Sequence, residues 1–417
     1  MVDYRAQMAL KRRVLEECAR ALPADRRAAL EKHVEANPEL RDYAAFRAVG
    51  DKRRAAWQTW PAPLRDGHAS PGDFDPAVAD YHGYVQWLAD EQLQGLATRA
   101  RANGPGLYLD LPLGVNSSGY DTWRYRQAFA PDTAAGAPPD PFFAKGQNWG
   151  FPPLHPERVR EGGYPYVRAY LHHHMRLAGI LRIDHMMGLH RLYWIPQGAD
   201  AKDGVYVGYR ADELYAVFLL EAHRHGTVLV GEDLGTVPED VPPMMARHNI
   251  YRMYVLQYQA QPQEEALAPI FAGAVASLNT HDMPTFAAFW EGLDIKDRED
   301  LGILDAKTAA AERTRRRELV RAVEKFLQKR GFLKDARDPK AVLRACLAYL
   351  ATGPGQVALA NVEDFWLEKD PQNVPGTWQE RPNWKRRAKR PLEEFTKMPA
   401  VLQALRDMDR LAKQGRG

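Results

Sequence analysis

The stretch AGILRIDHMMG (178–188) decides the reading of the fold. A near-continuous apolar run carries Arg182 within it, delivers Asp184 at its end and is followed by His185. Five further runs share this make-up: GLYLDLPLGV (106–115), GTVLVGEDLG (226–235), YRMYVLQYQ (251–259), AVASLNTHD (274–282) and QVALANVEDFW (356–366). Short runs of this kind are expected of parallel strands buried on both faces. Helical stretches lie between several of them. In the clearest, Asp338 caps, Pro339 fits the first helical position, Val342, Leu343, Cys346, Leu347 and Leu350 form one face, and Gly353 ends the helix. Strand–helix alternation predicts an α/β fold with a parallel sheet.

Outward from these runs the texture changes. Residues 1–105 read as helices and polar connections: Leu10, Val14, Leu15 and Cys18 recur at helical spacing, as do Tyr43, Phe46 and Val49. WPAPLRDGHASPGDFDP (60–76) is broken by Pro and Gly into loop, and a second helical run fills 77–102. The Gly/Pro-rich stretch 131–165 is too long for an ordinary connection and reads as a functional loop.

Composition narrows the function. The chain has 417 residues, 45% hydrophobic and 27% charged, a length that a single α/β barrel with insertions can fill. A net charge of +3 is too balanced for nucleic acid as the main partner. Two cysteines, Cys18 and Cys346, exclude a disulfide framework and a cysteine zinc site. No apolar run is long enough to span a membrane, and MVDYRAQMALKRRVLEECARAL has no apolar signal core, so a cytoplasmic location is expected. Nothing signals nucleotide, haem or flavin; no cofactor and no metal are expected.

Three runs carry an acid at or just beyond the strand end: Asp184, Glu232 and Asp282. In an α/β barrel such positions converge on one mouth, where active sites are built. Like charges gathered there are costly unless they do chemistry. Arg182 and Asp184 are two apart on a strand and share a face, so the guanidinium favours the ionised carboxylate a nucleophile needs. Glu232 has no cation beside it in sequence and is a candidate for the raised pKa of a general acid. Two such carboxylates about 5–5.5 Å apart give glycoside chemistry with retention. His185 and His281 flank two of the acids. Each acid taken alone also reads as a helix cap or turn former, and Arg-x-Asp as a structural ion pair.

RIDHMMGLHRLYWIP (182–196), VGEDLGTVP (230–238) and THDMPT (280–285) resemble the signature segments of the amylomaltases, the 4-α-glucanotransferases of glycoside hydrolase family 77. GAPPDPFFAKGQNWGFPPL (136–154) resembles that family's loop over the sugar site, DLPLGV (110–115) its third-strand segment and NVPGTWQERPNW (373–384) its C-terminal loop. The resemblance runs over nearly the whole chain. It implies transfer of α-1,4-glucan segments to glucose or maltooligosaccharide acceptors by double displacement. Asp184 is then the nucleophile, Glu232 the acid and base, and Asp282 the residue holding ring hydroxyls. Arg182 fixes and ionises Asp184, His281 bonds the sugar next to the cleaved link, and Asp110, Gln147, Trp149 and Asn373 line subsites; His185, from its place beside Asp184, is read as a further ligand of sugar hydroxyls.

The resemblance makes the six strands the third to eighth of a TIM-type (β/α) barrel, incomplete because the first two have no match here. Residues 1–105 then form a helical insertion preceding strand three, and 106–417 the catalytic portion with a loop insertion at 116–165. The missing strands belong to a longer reading frame or to a separate polypeptide, or else the fold has adapted and the protein is inactive; the first is favoured, and weak or no activity is expected of this chain alone. Two other functions stay open, a catalytically impaired glucan-binding fragment and a retaining α-glucosidase. His172, His173 and His174 read as a surface run rather than a metal site, since consecutive side chains on a helix diverge. The basic cluster Lys385, Arg386, Arg387, Lys389 and Arg390 reads as a solvated face, and Gly353-Pro354-Gly355 as a turn, for it lacks the phosphate-loop Lys.

Overall fold

The structure is a computed structural model that describes residues 1–140 and 145–415. Positions 141–144 of the sugar-site loop singled out above lie outside the described residues. The chain divides into two compact units, Tyr4–Met244 and Met1–Asp3 with Met245–Gly417.

The first unit begins with helices α1 (Tyr4–Arg20), α2 (Ala24–Ala36), α3 (Pro38–Arg53) and α4 (Pro76–Asn103). Asp75 starts α4 by accepting from the Ala77 N–H, with Pro76 in the first turn, where a missing N–H costs nothing. Phe46, Val49, Trp60, Leu64 and Trp123 form an aromatic core under these helices. Strand β1 (Leu107–Leu111) follows, then β2 (Thr133–Ala137), β3 (Gln147–Asn148), α5 (Pro165–Met175), β4 (Ala178–Ile183), β5 (Arg191–Pro196), β6 (Val205–Gly208), α6 (Ala211–His225) and β7 (Val228–Gly231).

Strands β1, β4 and β7 pair in parallel, as the apolar runs predicted. β4 runs between the other two and is almost wholly buried. Its start is pressed against the start of β1. A Cβ on Gly179 would sit 1.9 Å from the Pro105 carbonyl oxygen, so only glycine permits this approach. β3, β2, β5 and β6 form a separate antiparallel sheet. Part of the stretch read from sequence as loop is therefore sheet: β2 pairs with β5 through Ala135↔Trp194 and with β3 through Gly136↔Asn148.

The second unit contains β8 (Tyr251–Val255), β9 (Ala274–Ser277), α7 (Phe286–Glu291), α8 (Ala306–Lys329), α9 (Pro339–Thr352), β10 (Val357–Leu359) and α10 (Pro399–Gly415). β9 pairs in parallel with both β8 and β10. The strands are shorter than their apolar runs: Leu256–Gln259 turns into helix, and Val362–Trp366 is a 3-10 turn. α9 starts at the expected cap, with Asp338 accepting from the Lys340 N–H, and buries Val342, Leu343, Cys346, Leu347 and Leu350. That face packs into a core with Tyr254, Phe286, Phe326 and Leu327. Among the described residues no helix is long and apolar enough to cross a membrane.

Candidate active site

Register brings the first cluster together. Asp110 on β1 is level with Arg182 on β4, and Arg182 with Val230 on β7. The last paired residues of β4 and β7 are Ile183 and Gly231, so Asp184 and Glu232 come next, side by side at the carboxyl ends. Backbone bonds hold them there: Asp184 N–H donates to the Leu111 carbonyl at 3.1 Å and Glu232 N–H to that of Ile183 at 2.9 Å.

Arg182 is buried and needs counter-charges. Its Nη1 donates to Asp110 Oδ1 at 2.7 Å and Oδ2 at 2.9 Å, and stands 3.0 Å from Asp184 Oδ1. Burial works against the guanidinium's charge, but Asp110 and Asp184 outweigh it and raise its pKa. The sequence reading foresaw the Arg182–Asp184 pair and missed that Asp110 is an equal partner. Only the register of β1 against β4, which sets Asp110 level with Arg182, creates that pairing.

Glu232 is 9% exposed. Its Oε2 accepts from the His185 N–H at 2.9 Å and its Oε1 from the Leu234 N–H at 2.7 Å. Burial pushes its carboxyl up to about 7; the charge of Asp184 adds to this, while Arg182 and the two N–H donors pull the other way. Such a group exchanges its proton near neutral pH, as an alternating acid and base must. The two backbone donors were invisible in the sequence, because they depend on a turn. His185 makes that turn in the left-handed region, φ 50°, where a non-glycine residue costs of order 1–3 kcal/mol. Burial lowers its imidazole pKa to about 4 against the pull of Asp184, leaving a neutral ring at neutral pH.

The Trp149 and His185 rings meet edge to face at 5.3 Å, and Trp149 stacks on Phe151 at 6.2 Å. Trp149 Nε1 donates to Gln147 Oε1 at 2.8 Å. Thus Asp110, Gln147, Trp149, Arg182, Asp184, His185 and Glu232 are linked by contacts within the first unit. Phe151, which the sequence reading did not single out, fixes the indole; a Cβ on Gly114 would lie 2.1 Å from its ring.

The remaining three residues form a cluster in the second unit. Asp282 Oδ1 accepts from Asn373 Nδ2 at 2.7 Å, and its Oδ2 lies 3.2 Å from His281 Nε2. His281 and Trp384 rings lie 5.8 Å apart. The 373–384 loop is pinned by Asn383, which accepts from the Val374 N–H and donates to the Thr377 carbonyl, both at 3.0 Å. Asp364, also not foreseen, is buried, accepting from the Phe286 N–H at 2.8 Å and from Asn279 Nδ2 at 3.0 Å. Burial raises its carboxyl to about 6.

Two other expectations are refined. Arg386 of the basic cluster is no solvated charge, since it binds Glu363 through both terminal nitrogens at 2.6 and 2.8 Å. The histidine run diverges only in part: the His173 and His174 rings meet edge to face at 5.6 Å, while His172 meets His225 from α6.

The family model of the 4-alpha-glucanotransferases, glycoside hydrolase family 77, matches residues 1–393. The chain belongs to this family. A 4-alpha-glucanotransferase of Mycobacterium tuberculosis is 36% identical over 361 residues, covering 83% of this chain and 50% of that protein. One from Haemophilus influenzae is 32% identical over 371 residues, covering 85% of this chain and 52% of that protein. The chain thus spans about half the length of these curated family 77 relatives. The crystal structure of amylomaltase from Corynebacterium glutamicum superposes with a TM-score of 0.82 at 27% identity, over 98% of this chain and 59% of that one. Amylomaltase from Streptococcus agalactiae in complex with acarbose gives 0.78 at 20% identity, over 99% and 80%. These likenesses assign the family 77 chain an α/β fold of the TIM type.

Proposed function

We propose that this chain carries the acid–nucleophile pair of a retaining 4-α-glucanotransferase. The reading rests on one observation: Asp184 and Glu232 end adjacent parallel strands at the same register level, each one residue beyond the Ile183↔Gly231 pair. Neighbouring strands lie about 4.8 Å apart. That spacing suits the roughly 5–5.5 Å of a carboxylate pair that works through a covalent intermediate, rather than the wider gap that admits a water between.

In this reading the Asp184 carboxylate, positioned by Arg182, attacks the anomeric carbon of an α-1,4-linked glucose. Glu232 gives its proton to the leaving oxygen. A sugar hydroxyl then loses its proton to Glu232 and displaces Asp184, so two inversions restore the α configuration. A carboxyl near 7 serves both halves. Trp149 offers the apolar face of a glucose ring a platform, and neutral His185 bonds a hydroxyl. In the second unit, Asp282, His281 and Asn373 are proposed as ligands of sugar hydroxyls. The parallel strands β1, β4 and β7 of the first unit and β8, β9 and β10 of the second are proposed to match the third to eighth strands of the family barrel.

Product analysis with maltotriose tests this. Transfer yields longer and shorter maltooligosaccharides with little gain in reducing ends, and Asp184→Asn abolishes turnover while leaving oligosaccharide binding by calorimetry intact. Steady release of glucose as the sole outcome, or turnover retained in Asp184→Asn, overturns it.

A further inference from the structure

We propose that α5 and α6 carry a binding site for one divalent transition-metal ion of the zinc or cobalt kind, held by His172, Glu221 and His225. Glu221 and His225 stand one turn apart on α6 and face the same way; His172 comes across from α5. His172 Nδ1 and His225 Nε2 are 3.1 Å apart, His225 Nε2 and Glu221 Oε2 are 3.9 Å apart, and one ligand atom from each residue falls within 4.8 Å of the other two. Metal–nitrogen distances of about 2.0–2.1 Å in a tetrahedral site imply ligand edges of roughly 3.3 Å. The three atoms therefore need only a small closing movement to share an ion.

The carboxylate is set for the task. Glu221 is 3% exposed, and both neighbouring cations hold the same oxygen, Arg224 Nη1 at 2.8 Å and Arg168 Nε at 3.6 Å from Oε1. Oε2 has no hydrogen-bond partner among the described residues and is the atom turned toward His225. A ligating carboxylate fixed through its second oxygen is the usual outer-sphere arrangement. Two imidazoles and one carboxylate leave a fourth position, which opens beside exposed His172 onto the hollow lined by Pro165, Arg168 and Ala169. Water or a solute oxygen would fill it. Two nitrogens and one carboxylate oxygen favour zinc-like ions over magnesium or calcium.

The full chain, stripped with chelator, is titrated with Co²⁺ and followed by visible absorption, then back-titrated with Zn²⁺. One equivalent should develop the intense d–d bands of a tetrahedral site and lose them to zinc. His172→Ala and His225→Ala should each weaken binding at least tenfold, and His173→Ala, an exposed neighbour, should leave it unchanged. His172→Ala carries the test if His225→Ala fails to fold, since its side chain stands at the surface. Absence of the bands, retention in His172→Ala, or an equal loss in His173→Ala overturns the assignment.

Discussion

Replacing Glu232 by Gln separates the electrostatic reading of this residue from a merely structural one. The carboxyl rises from an ordinary 4.5 to about 7 in the folded chain, chiefly through burial. Each tenfold change in proton affinity is worth 1.36 kcal/mol, so ionising Glu232 costs the fold about 3 kcal/mol relative to the unfolded chain. Below about pH 4.5 both states hold the proton and the cost is absent. Between 4.5 and about 7 the unfolded chain ionises first, so stability falls as pH rises. Above about 7 the whole cost is in place. Glutamine does not titrate. It also has one acceptor oxygen where the His185 and Leu234 N–H groups need two, a loss of about 1–3 kcal/mol at every pH. The diagnostic quantity is therefore the change in the mutant-minus-wild-type difference. Urea denaturation followed by tryptophan fluorescence should show Gln gaining about 3 kcal/mol on wild type from pH 4 to pH 8. A difference constant to within about 1 kcal/mol would refute the raised carboxyl and, with it, the choice of Glu232 as the proton donor.

Four further outcomes follow from the same geometry. The kcat/KM profile for maltotriose should fall on its alkaline side with a midpoint near 7, because the first displacement needs Glu232 protonated. Arg182→Ala leaves Asp110 and Asp184 without their shared counter-charge and should lower kcat by about 10²-fold or more in a disproportionation assay. Trp149→Ala removes the ring platform beside His185 and should raise KM for maltooligosaccharides by about tenfold, with a smaller change in kcat. Gly114→Ala forces the Phe151 ring away and should cost about 1–3 kcal/mol in chemical denaturation while disturbing Trp149, which stacks on that ring.

The parallel strands were legible because burial on both faces leaves a mark that survives in one dimension: β4, β7 and β9 are mostly buried, and each coincides with an apolar run. The cap of α9 was legible for a similar reason, as Asp338 and Pro339 act on backbone groups within three residues. The antiparallel sheet was not. β2 is Thr-Ala-Ala-Gly-Ala, short and weakly apolar, and its pairing with β5 depends on residues some sixty positions away. The same limit hid Asp110 as a partner of Arg182, 72 residues distant, and Glu221 with His225 as neighbours of His172. Contacts of that range leave no local period; register and helix packing create them.

The two strand-end acids differ by environment rather than by residue type. Asp184 has its side chain 37% exposed with a guanidinium at 3.0 Å, whereas Glu232 is 9% exposed and receives only backbone N–H groups in direct contact. A partly solvated carboxylate beside a cation suits attack on carbon, and a dehydrated one suits carrying a proton, which is the pattern by which paired carboxyls take separate roles. Arg182 serves both sides of this division. Its charge pulls the Glu232 carboxyl down against the burial that raises it, and it stands against Asp184 directly. Moving that one cation would take the ion-pair partner from Asp184 and the downward pull from Glu232 at once, so the proposed separation of roles belongs to the triplet of strand ends and not to any one residue.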